Sequence, residues 1–356
     1  MTARRILICV HDFSRGGTER IAIGLAADWA QAGRDVTILC GNVEGGLRDT
    51  VRDNVKVVPL EPPIRRGLLS RWRLARAMGK RLASLKPDVI FLPGNFHSFL
   101  ANGLRASLPS AVIALKISNP PVPKGAPFGA AIFRHVTAAV DGFAAMNSGL
   151  ARELKAMLPG RNIVALHDPV FVAPRAPVPR RDSRWRILWI GRLERQKDPH
   201  LALEVMAAMA APAHLTMLGE GALRESMQQR IFAMNLGSSV TLSGYEPEIE
   251  SHLANADALL ITSRYEGGPA VAVEALAQGV PVVGTDCSFL LQDLIACPEA
   301  GRIVPSREPG ALATALLEVC AAPRAPEKLR ALTTPFEAKV CARAYLDWLD
   351  GLVGHG

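Results

Sequence analysis

Thirteen short apolar runs, each of strand length and most followed by a stretch suited to a helix, constrain this 356-residue chain more than any other feature. In the first half they fall at 5–10, 36–40, 55–59, 88–92, 111–117, 142–146 and 162–166; in the second at 186–190, 215–219, 240–243, 258–262, 281–284 and 302–304. Apolar strands that alternate with helices build parallel sheets covered on both faces. Between the halves lies APRAPVPRRDSR, residues 173–184, rich in proline and arginine and without periodicity. The expectation is an α/β chain with an N-terminal Rossmann-like domain at 1–172, a linker at 173–184, a second Rossmann-like domain at 185–333 and a terminal amphipathic helix within 334–356. Two such domains facing across a cleft would bind ligands beyond the carboxyl ends of their strands.

The richest segment follows the strand at 258–262 and reads SRYEGGPAVAVEALAQGVPVV, residues 263–283. Gly267 and Gly268 break the apolar run and let a ligand approach the backbone. Pro269 suits the first helical position, AVAVEALA continues as a helix, and Gly279 followed by Pro281 ends it. A helix opening there offers the unpaired N–H groups of Ala270, Val271 and Ala272, with the positive end of the dipole, to an anion. Glu266 and Glu274 stand eight positions apart, one before the turn and one inside the helix, placed to bracket different parts of one ligand. An ordinary strand-turn-helix connection with two solvated glutamates explains the same residues.

Other strand ends carry further candidates. After the first strand, HDFSRGGTER sets Gly16 and Gly17 before a helix; after the strand at 186–190, GRLERQKDP presents Gly191, Arg192 and Lys197. Gly219-x-Gly221 follows another strand, but Arg224 stands where a dinucleotide fingerprint requires glycine, which disfavours an NAD-dependent oxidoreductase. Tyr245, in a loop after the strand at 240–243, is placed either to cover a nucleotide base or to lie exposed.

Charge is unevenly divided. Residues 1–170 hold 23 Lys and Arg against 12 Asp and Glu, whereas 171–356 hold 18 against 21. The densest point, RRGLLSRWRLARAMGKRL at 65–82, wound as a helix, gathers Leu68, Trp72, Ala75, Met78 and Leu82 on one side and Arg66, Arg73, Arg76 and Lys80 on the other. The stripe suits either the domain's own sheet or the headgroup layer of an anionic membrane. No recognition helix or aromatic platform accompanies the charge, so nucleic acid is not an expected partner. Cysteine usage favours the cytoplasm: the six are scattered without a C-x-x-C pair. No metal site is expected, because the histidines lack zinc spacing and D-x-D is absent. Hydrophobic content of 49% without any run of about 20 apolar residues describes a globular chain lacking a membrane span.

The pattern E-G-G-P-x₄-E-A-x₃-G-V-P-V-V resembles the E-x₇-E signature of retaining GT4-type glycosyltransferases of GT-B fold. The resemblance spans nearly the whole chain, with the tighter motifs in the second half. It implies that Arg192 and Lys197 neutralise the diphosphate of a sugar nucleotide and that Glu274 bonds the ribose hydroxyls. It further implies that Glu266, with the backbone of the segment Gly267, Gly268, Pro269, Ala270 and Val271, positions the sugar, and that Gly16, Gly17, Gly191 and Tyr245 complete the donor contacts. Pro269 can supply only its carbonyl. The catalytic set is then Glu266, Arg192 and Lys197. The resemblance also implies that the terminal helix crosses back onto the first domain. One departure stands out: many relatives carry a His after the fifth strand of the first domain, where this chain reads LKISNPP, leaving Ser118, Asn119 or His97 as acceptor-side candidates.

The implied activity is metal-independent transfer, with retention, from a nucleoside-diphosphate sugar to a hydroxyl acceptor. No cofactor is expected; the donor is UDP-sugar by first expectation and GDP-sugar by second. The basic first half suggests a saccharide or lipid-linked acceptor for surface polysaccharide or lipopolysaccharide, met at the inner face of the cytoplasmic membrane through residues 65–82. A sugar-nucleotide 2-epimerase on the same scaffold and a non-catalytic sugar-nucleotide-binding partner are the alternatives.

Overall fold

A computed structural model describes residues 2–14, 16–67, 69–122, 128–170, 175–176 and 182–354. The chain forms two compact units, one of residues 1–169 with 336–356 and the other of residues 170–335. Most of the segment expected as a linker lies outside the described residues.

The first unit holds a seven-stranded sheet built from β1 (Arg5–Val10), β2 (Asp35–Cys40), β3 (Lys56–Pro59), β4 (Val89–Leu92), β5 (Val112–Ile117), β6 (Gly142–Ala145) and β7 (Asn162–Ala165). Its order is β3-β2-β1-β4-β5-β6-β7, parallel throughout. Alternation within β1 divides the core: Leu7 and Cys9 join one apolar cluster, while Ile6, Ile8 and Val10 join another on the opposite face. Burial on both faces explains why these strands read as unbroken apolar runs.

The second face is completed by the C-terminal helix Ala338–Gly354, which brings Tyr345, Leu346, Leu349 and Leu352 against it. Trp29 Nε1 donates to the Ala342 carbonyl at 3.1 Å, and Arg34 pairs with Asp350 at 2.7 Å. The first face is covered by the helix Ser70–Leu85 through Leu74, Met78 and Leu82. The expected stripe is thereby corrected: Trp72 is 65% exposed, because it lies about 160° around the helix from Leu74. Leu68 lies outside the described residues, and Arg66 precedes the helix.

The second unit holds a six-stranded sheet of β8 (Trp185–Ile190), β9 (Ala213–Leu218), β10 (Val240–Gly244), β11 (Ala258–Ile261), β12 (Val282–Thr285) and β13 (Gly301–Val304). Its order, β10-β9-β8-β11-β12-β13, is again parallel and doubly wound. All thirteen expected strands form, their ends displaced by at most two residues. In each sheet the order reverses beside the first strand, between β1 and β4 and between β8 and β11. The carboxyl ends of strands flanking such a reversal are the general ligand position of doubly wound sheets.

Candidate functional site

In the second unit the loops after β8 and β11 bring Lys197 and Glu266 together. Lys197 Nζ lies 2.6 Å from Glu266 Oε1, with the side chains 19% and 9% exposed. The same Oε1 accepts from Ser263 Oγ at 2.7 Å, and the Glu266 N–H donates to the Cys287 carbonyl at 2.8 Å. Burial, then the nearby Glu266 carboxylate, pushes the Cys287 thiol up to about 11, so it is protonated at neutral pH. Backbone contacts stitch the two loops: Arg264 N–H donates to the Gln196 carbonyl at 2.8 Å, and Gln196 Nε2 to the Tyr265 carbonyl at 3.1 Å.

The helix that opens beyond Glu266 runs Ala270–Ala277, so Pro269 is its cap at φ −73 and not its first residue. Ala272 N–H is taken by the Pro269 carbonyl at 2.9 Å, which corrects the expectation that three amides stand open. Among the described residues Ala270 and Val271 retain unbonded amides. Gly279 ends the helix at φ +77, with Val280 N–H reaching the Ala275 carbonyl and Gly279 N–H the Leu276 carbonyl, both at 2.9 Å. Within it Glu274 is buried, 7% exposed.

Arg192 does not join the Lys197–Glu266 pair. It bridges to Glu194 at 2.8 Å and is 65% exposed. The Gly191 side faces the aliphatic stem of Lys197, where an added Cβ would sit 3.3 Å from Cγ and Cδ. Gly219-x-Gly221 has a packing role: Gly219 has φ +136, and a Cβ there would strike the Gly191 carbonyl, while one on Gly221 would meet the Leu193 carbonyl at 2.5 Å. Tyr245, in the loop after β10, is 57% exposed.

The first unit gathers a second cluster beyond β1 and β4. Arg66 bonds Asp12 through Nε at 2.6 Å and Nη2 at 3.0 Å, and reaches Glu19 at 3.1 Å. Burial alone would raise Asp12, but Arg66 and the Ser14 amide overcome it and hold the carboxyl at about 2. His97 is 1% exposed, neither ring nitrogen has a hydrogen-bond partner among the described residues, and burial, with nearby Arg66 and His11, pushes it down to about 3. Gly16 lies within reach of Glu19, whose carboxylate a Cβ on Gly16 would strike; Gly17 faces open space. Ser118 and Asn119 are held by the segment that carries His97: both amides donate to Asn95 Oδ1, at 2.9 and 3.4 Å, and Lys116 Nζ donates to Ser118 Oγ at 2.6 Å.

Against known proteins, two adjoining family profiles cover the chain: Glycosyltransferase Family 4 matches residues 15–170, and Glycosyl transferases group 1 matches 174–333. The chain belongs to the GT4-type glycosyltransferases. Lipopolysaccharide 1,6-galactosyltransferase of Salmonella typhimurium is 27% identical to this glycosyltransferase over 159 residues, 42% of this chain and 44% of that protein. The Escherichia coli protein of the same name is 24% identical over 70% of this chain and 69% of its own length. The N-acetylgalactosamine-N,N'-diacetylbacillosaminyl-diphospho-undecaprenol 4-alpha-N-acetylgalactosaminyltransferase of Campylobacter jejuni is 30% identical over 33% of this chain and 32% of its own. The matches thus span under half of the Salmonella and Campylobacter proteins.

Among solved structures, the lipopolysaccharide outer core galactosyltransferase WaaB in its apo form has TM-score 0.76 at 18% identity, covering 96% of this chain and 98% of that one. Anabaena Alr3699/HepE, solved with UDP and glucose, has TM-score 0.74 at 14% identity, covering 99% and 98%. These likenesses establish the GT-B fold of this glycosyltransferase.

Several residues at these strand ends escape a sequence reading. Lys116 is 0% exposed and pairs with Asp168 at 2.9 Å; a lysine inside the apolar run VIALKI was its signal, since buried lysines need a partner. Asp12, Glu19 and Arg66 left no such mark, because they come from three separate segments. Ser263 and Arg307 are legible only once β11 and β13 are placed.

Proposed function

We propose that this chain transfers a glycosyl group, with retention and without a metal, from a nucleoside-diphosphate sugar to the hydroxyl of a lipid-linked saccharide. The observation that carries the reading is the Lys197–Glu266 pair, at 2.6 Å, on the two loops that diverge at the switch point of the second sheet, just ahead of the helix Ala270–Ala277. Lys197 and Arg192 supply two cations for a departing diphosphate, and the amides of Ala270 and Val271 add the positive end of a helix. Glu266 positions the sugar, and Glu274 accepts from the ribose hydroxyls. Gly16, Gly17, Gly191 and Tyr245 line the donor, and His97, Ser118 and Asn119 belong to the acceptor side.

In the step itself the bond from C1 of the sugar to the diphosphate oxygen breaks as the acceptor oxygen bonds C1 on the same face. The acceptor proton passes to the departing diphosphate, so no protein nucleophile takes part. UDP-sugar is the first donor to try, in keeping with the UDP complex of the Anabaena neighbour, and GDP-sugar the second. The names of the Salmonella and Campylobacter relatives favour an acceptor for lipopolysaccharide or another cell-surface glycan, one of them built on diphospho-undecaprenol. Such an acceptor sets the chain at the inner face of the cytoplasmic membrane. Among the described residues no helix is long and apolar enough to cross a membrane, and the proposed attachment is peripheral, through residues 65–82.

The deciding experiment measures release of UDP or GDP from a panel of sugar nucleotides with an extracted lipid-linked acceptor. Lys197→Ala and Glu274→Ala are expected to remove at least 99% of transfer, about 3 kcal/mol of transition-state stabilisation each, while leaving the circular-dichroism spectrum intact. Unaltered turnover in both variants would overturn the reading.

A further inference from the structure

Lys197 and Glu266 stand on loops that leave the sheet in opposite directions, and they meet only when those loops hold a fixed register. Local sequence supplies part of this: Thr262 Oγ1 lies 2.9 Å from both the Lys197 and the Asp198 carbonyls, and Trp189 Nε1 donates to it at 3.0 Å. A stronger tie comes from a third segment, just after β13. Arg307 Nη1 donates to the Ser263 carbonyl at 2.9 Å, while Nη2 donates to the Thr262 carbonyl at 2.9 Å and to Asp198 Oδ2 at 2.7 Å. Asp198 directly follows Lys197 and has the left-handed φ of 46°. Ser263 is the residue whose hydroxyl bonds Glu266. One guanidinium thus holds the neighbour of the cation and the partner of the acid.

We infer that Arg307 is a positioning residue for the nucleotide, fixing the separation of Lys197 and Glu266 without touching the donor itself. The inference rests on the glycosyl-transfer reading above. A planar fork is required, because two adjacent carbonyls and a carboxylate are met at once, and an ammonium on a flexible stem does not reproduce that geometry. A purely structural role is the competing account, and the surroundings allow the two to be separated. Asp198 Oδ2 also accepts from Arg264 at 2.7 Å, and Thr285 Oγ1 donates to the Ser263 carbonyl at 2.6 Å. Removing Arg307 therefore leaves both the carboxylate and that carbonyl with a partner and strands only the Thr262 carbonyl, so the domain is expected to fold with some loss of stability.

Calorimetric titration with UDP and with GDP on the wild type, Arg307→Met, Lys197→Met and the double variant provides the test. Arg307→Met alone is expected to weaken the bound nucleotide about tenfold, and by less than about twofold when Lys197 is already methionine. Arg307→Lys, which keeps the charge and loses the fork, stays weakened by at least about fivefold. Equal losses in both backgrounds would indicate a structural role and overturn the inference, as would full recovery by lysine or affinity in Arg307→Met within twofold of the wild type. A wild type that binds neither nucleotide would overturn the underlying reading instead.

Discussion

Lys197 Nζ and Glu266 Oε1 form a salt bridge of 2.6 Å that is largely withdrawn from water. Under the proposed function, the cation that would meet a diphosphate is held by a carboxylate in the free protein, and an incoming nucleotide would compete with Glu266 for it. Neutralising the acid while keeping its shape separates binding from turnover. Glu266→Gln is expected to bind UDP, or GDP where that is the donor base, as tightly as the wild type or a few-fold tighter, since Lys197 is released. Transfer is expected to fall by at least about a hundredfold, because the sugar would lose the group proposed to orient it. Calorimetry with the nucleoside diphosphate, set beside turnover of its sugar conjugate, checks both halves; weakened binding with unchanged kcat would contradict the assignment.

The legible parts of this fold are those fixed by local physics. Ala258–Ile261 reads as a strand because a parallel strand buried on both faces must be apolar throughout, and Gly279 reads as a helix end because its φ of +77 is costly for other residues. Lys197 and Glu266 were nameable from the pattern around them, yet their bridge was not, since it depends on the strand order that sets β8 beside β11. Trp72 was misplaced because periodicity gives the angular spacing of a helix and not which sector meets the sheet. Arg66 reads from the sequence as part of the basic face of a helix, though Asp12 and Glu19, more than 45 residues upstream, both bind it.

Tyr345 offers a stability test of the C-terminal helix. Its ring is 0% exposed and meets Phe91 edge-on at 5.8 Å, but its hydroxyl has no hydrogen-bond partner among the described residues. Burial and the nearby Asp168 push that hydroxyl's pKa up further. A buried unsatisfied hydroxyl costs more than it returns, so Tyr345→Phe is expected to be neutral or to stabilise the first unit by up to about 1 kcal/mol. Tyr345→Ala is expected to cost about 3–5 kcal/mol, as deleting a buried ring does. Thermal melts of the two variants against the wild type distinguish ring from hydroxyl; a Phe variant as damaged as the Ala variant would show that the hydroxyl is bonded.

His97 predicts an acid sensitivity of the first unit that begins above the carboxylate range. Its folded value is held at about 3 by burial, with Arg66 and His11 nearby, whereas an unfolded histidine titrates near 6.5. Between those values the unfolded chain takes up a proton that the folded chain refuses, so stability falls as pH falls, by up to about 1.4 kcal/mol per unit. Asp12 adds its own loss only lower, as pH drops toward its folded value of about 2. Hydrogen exchange of the β1 and β4 amides, corrected for intrinsic rates, is expected to show protection declining from pH 6.5 to 4.5. His97→Leu is expected to flatten that decline, and an unchanged slope would place the effect elsewhere.

The helix Ser70–Leu85 is the place to test the proposed contact of the first unit with a membrane. From Pro62 to Pro87 the sequence has no acidic residue, and Arg71, Arg73, Arg76, Lys80 and Arg81 pair with no carboxylate among the described residues. Arg71 stacks on Phe96 and Phe99, 4.6 and 4.7 Å from the ring centres, beside Trp72 and Leu69, which are 65% and 70% exposed. Arg71, Trp72, Arg76, Lys80 and Phe99 line a cavity of about 600 Å³ between this helix and the next. Unneutralised cations beside exposed aromatic and aliphatic side chains suit a headgroup layer, where each basic residue contributes about 1 kcal/mol. Flotation with vesicles containing 30% phosphatidylglycerol (about one anionic lipid in three) is expected to recover the wild type at low salt and to lose it at high salt. Replacing Arg71, Arg76 and Lys80 by glutamine is expected to weaken that partition by about a hundredfold, and Trp72→Ala by several-fold with less dependence on salt. Equal recovery of the triple variant and the wild type would assign these cations to solvent and overturn the proposed membrane contact at this helix.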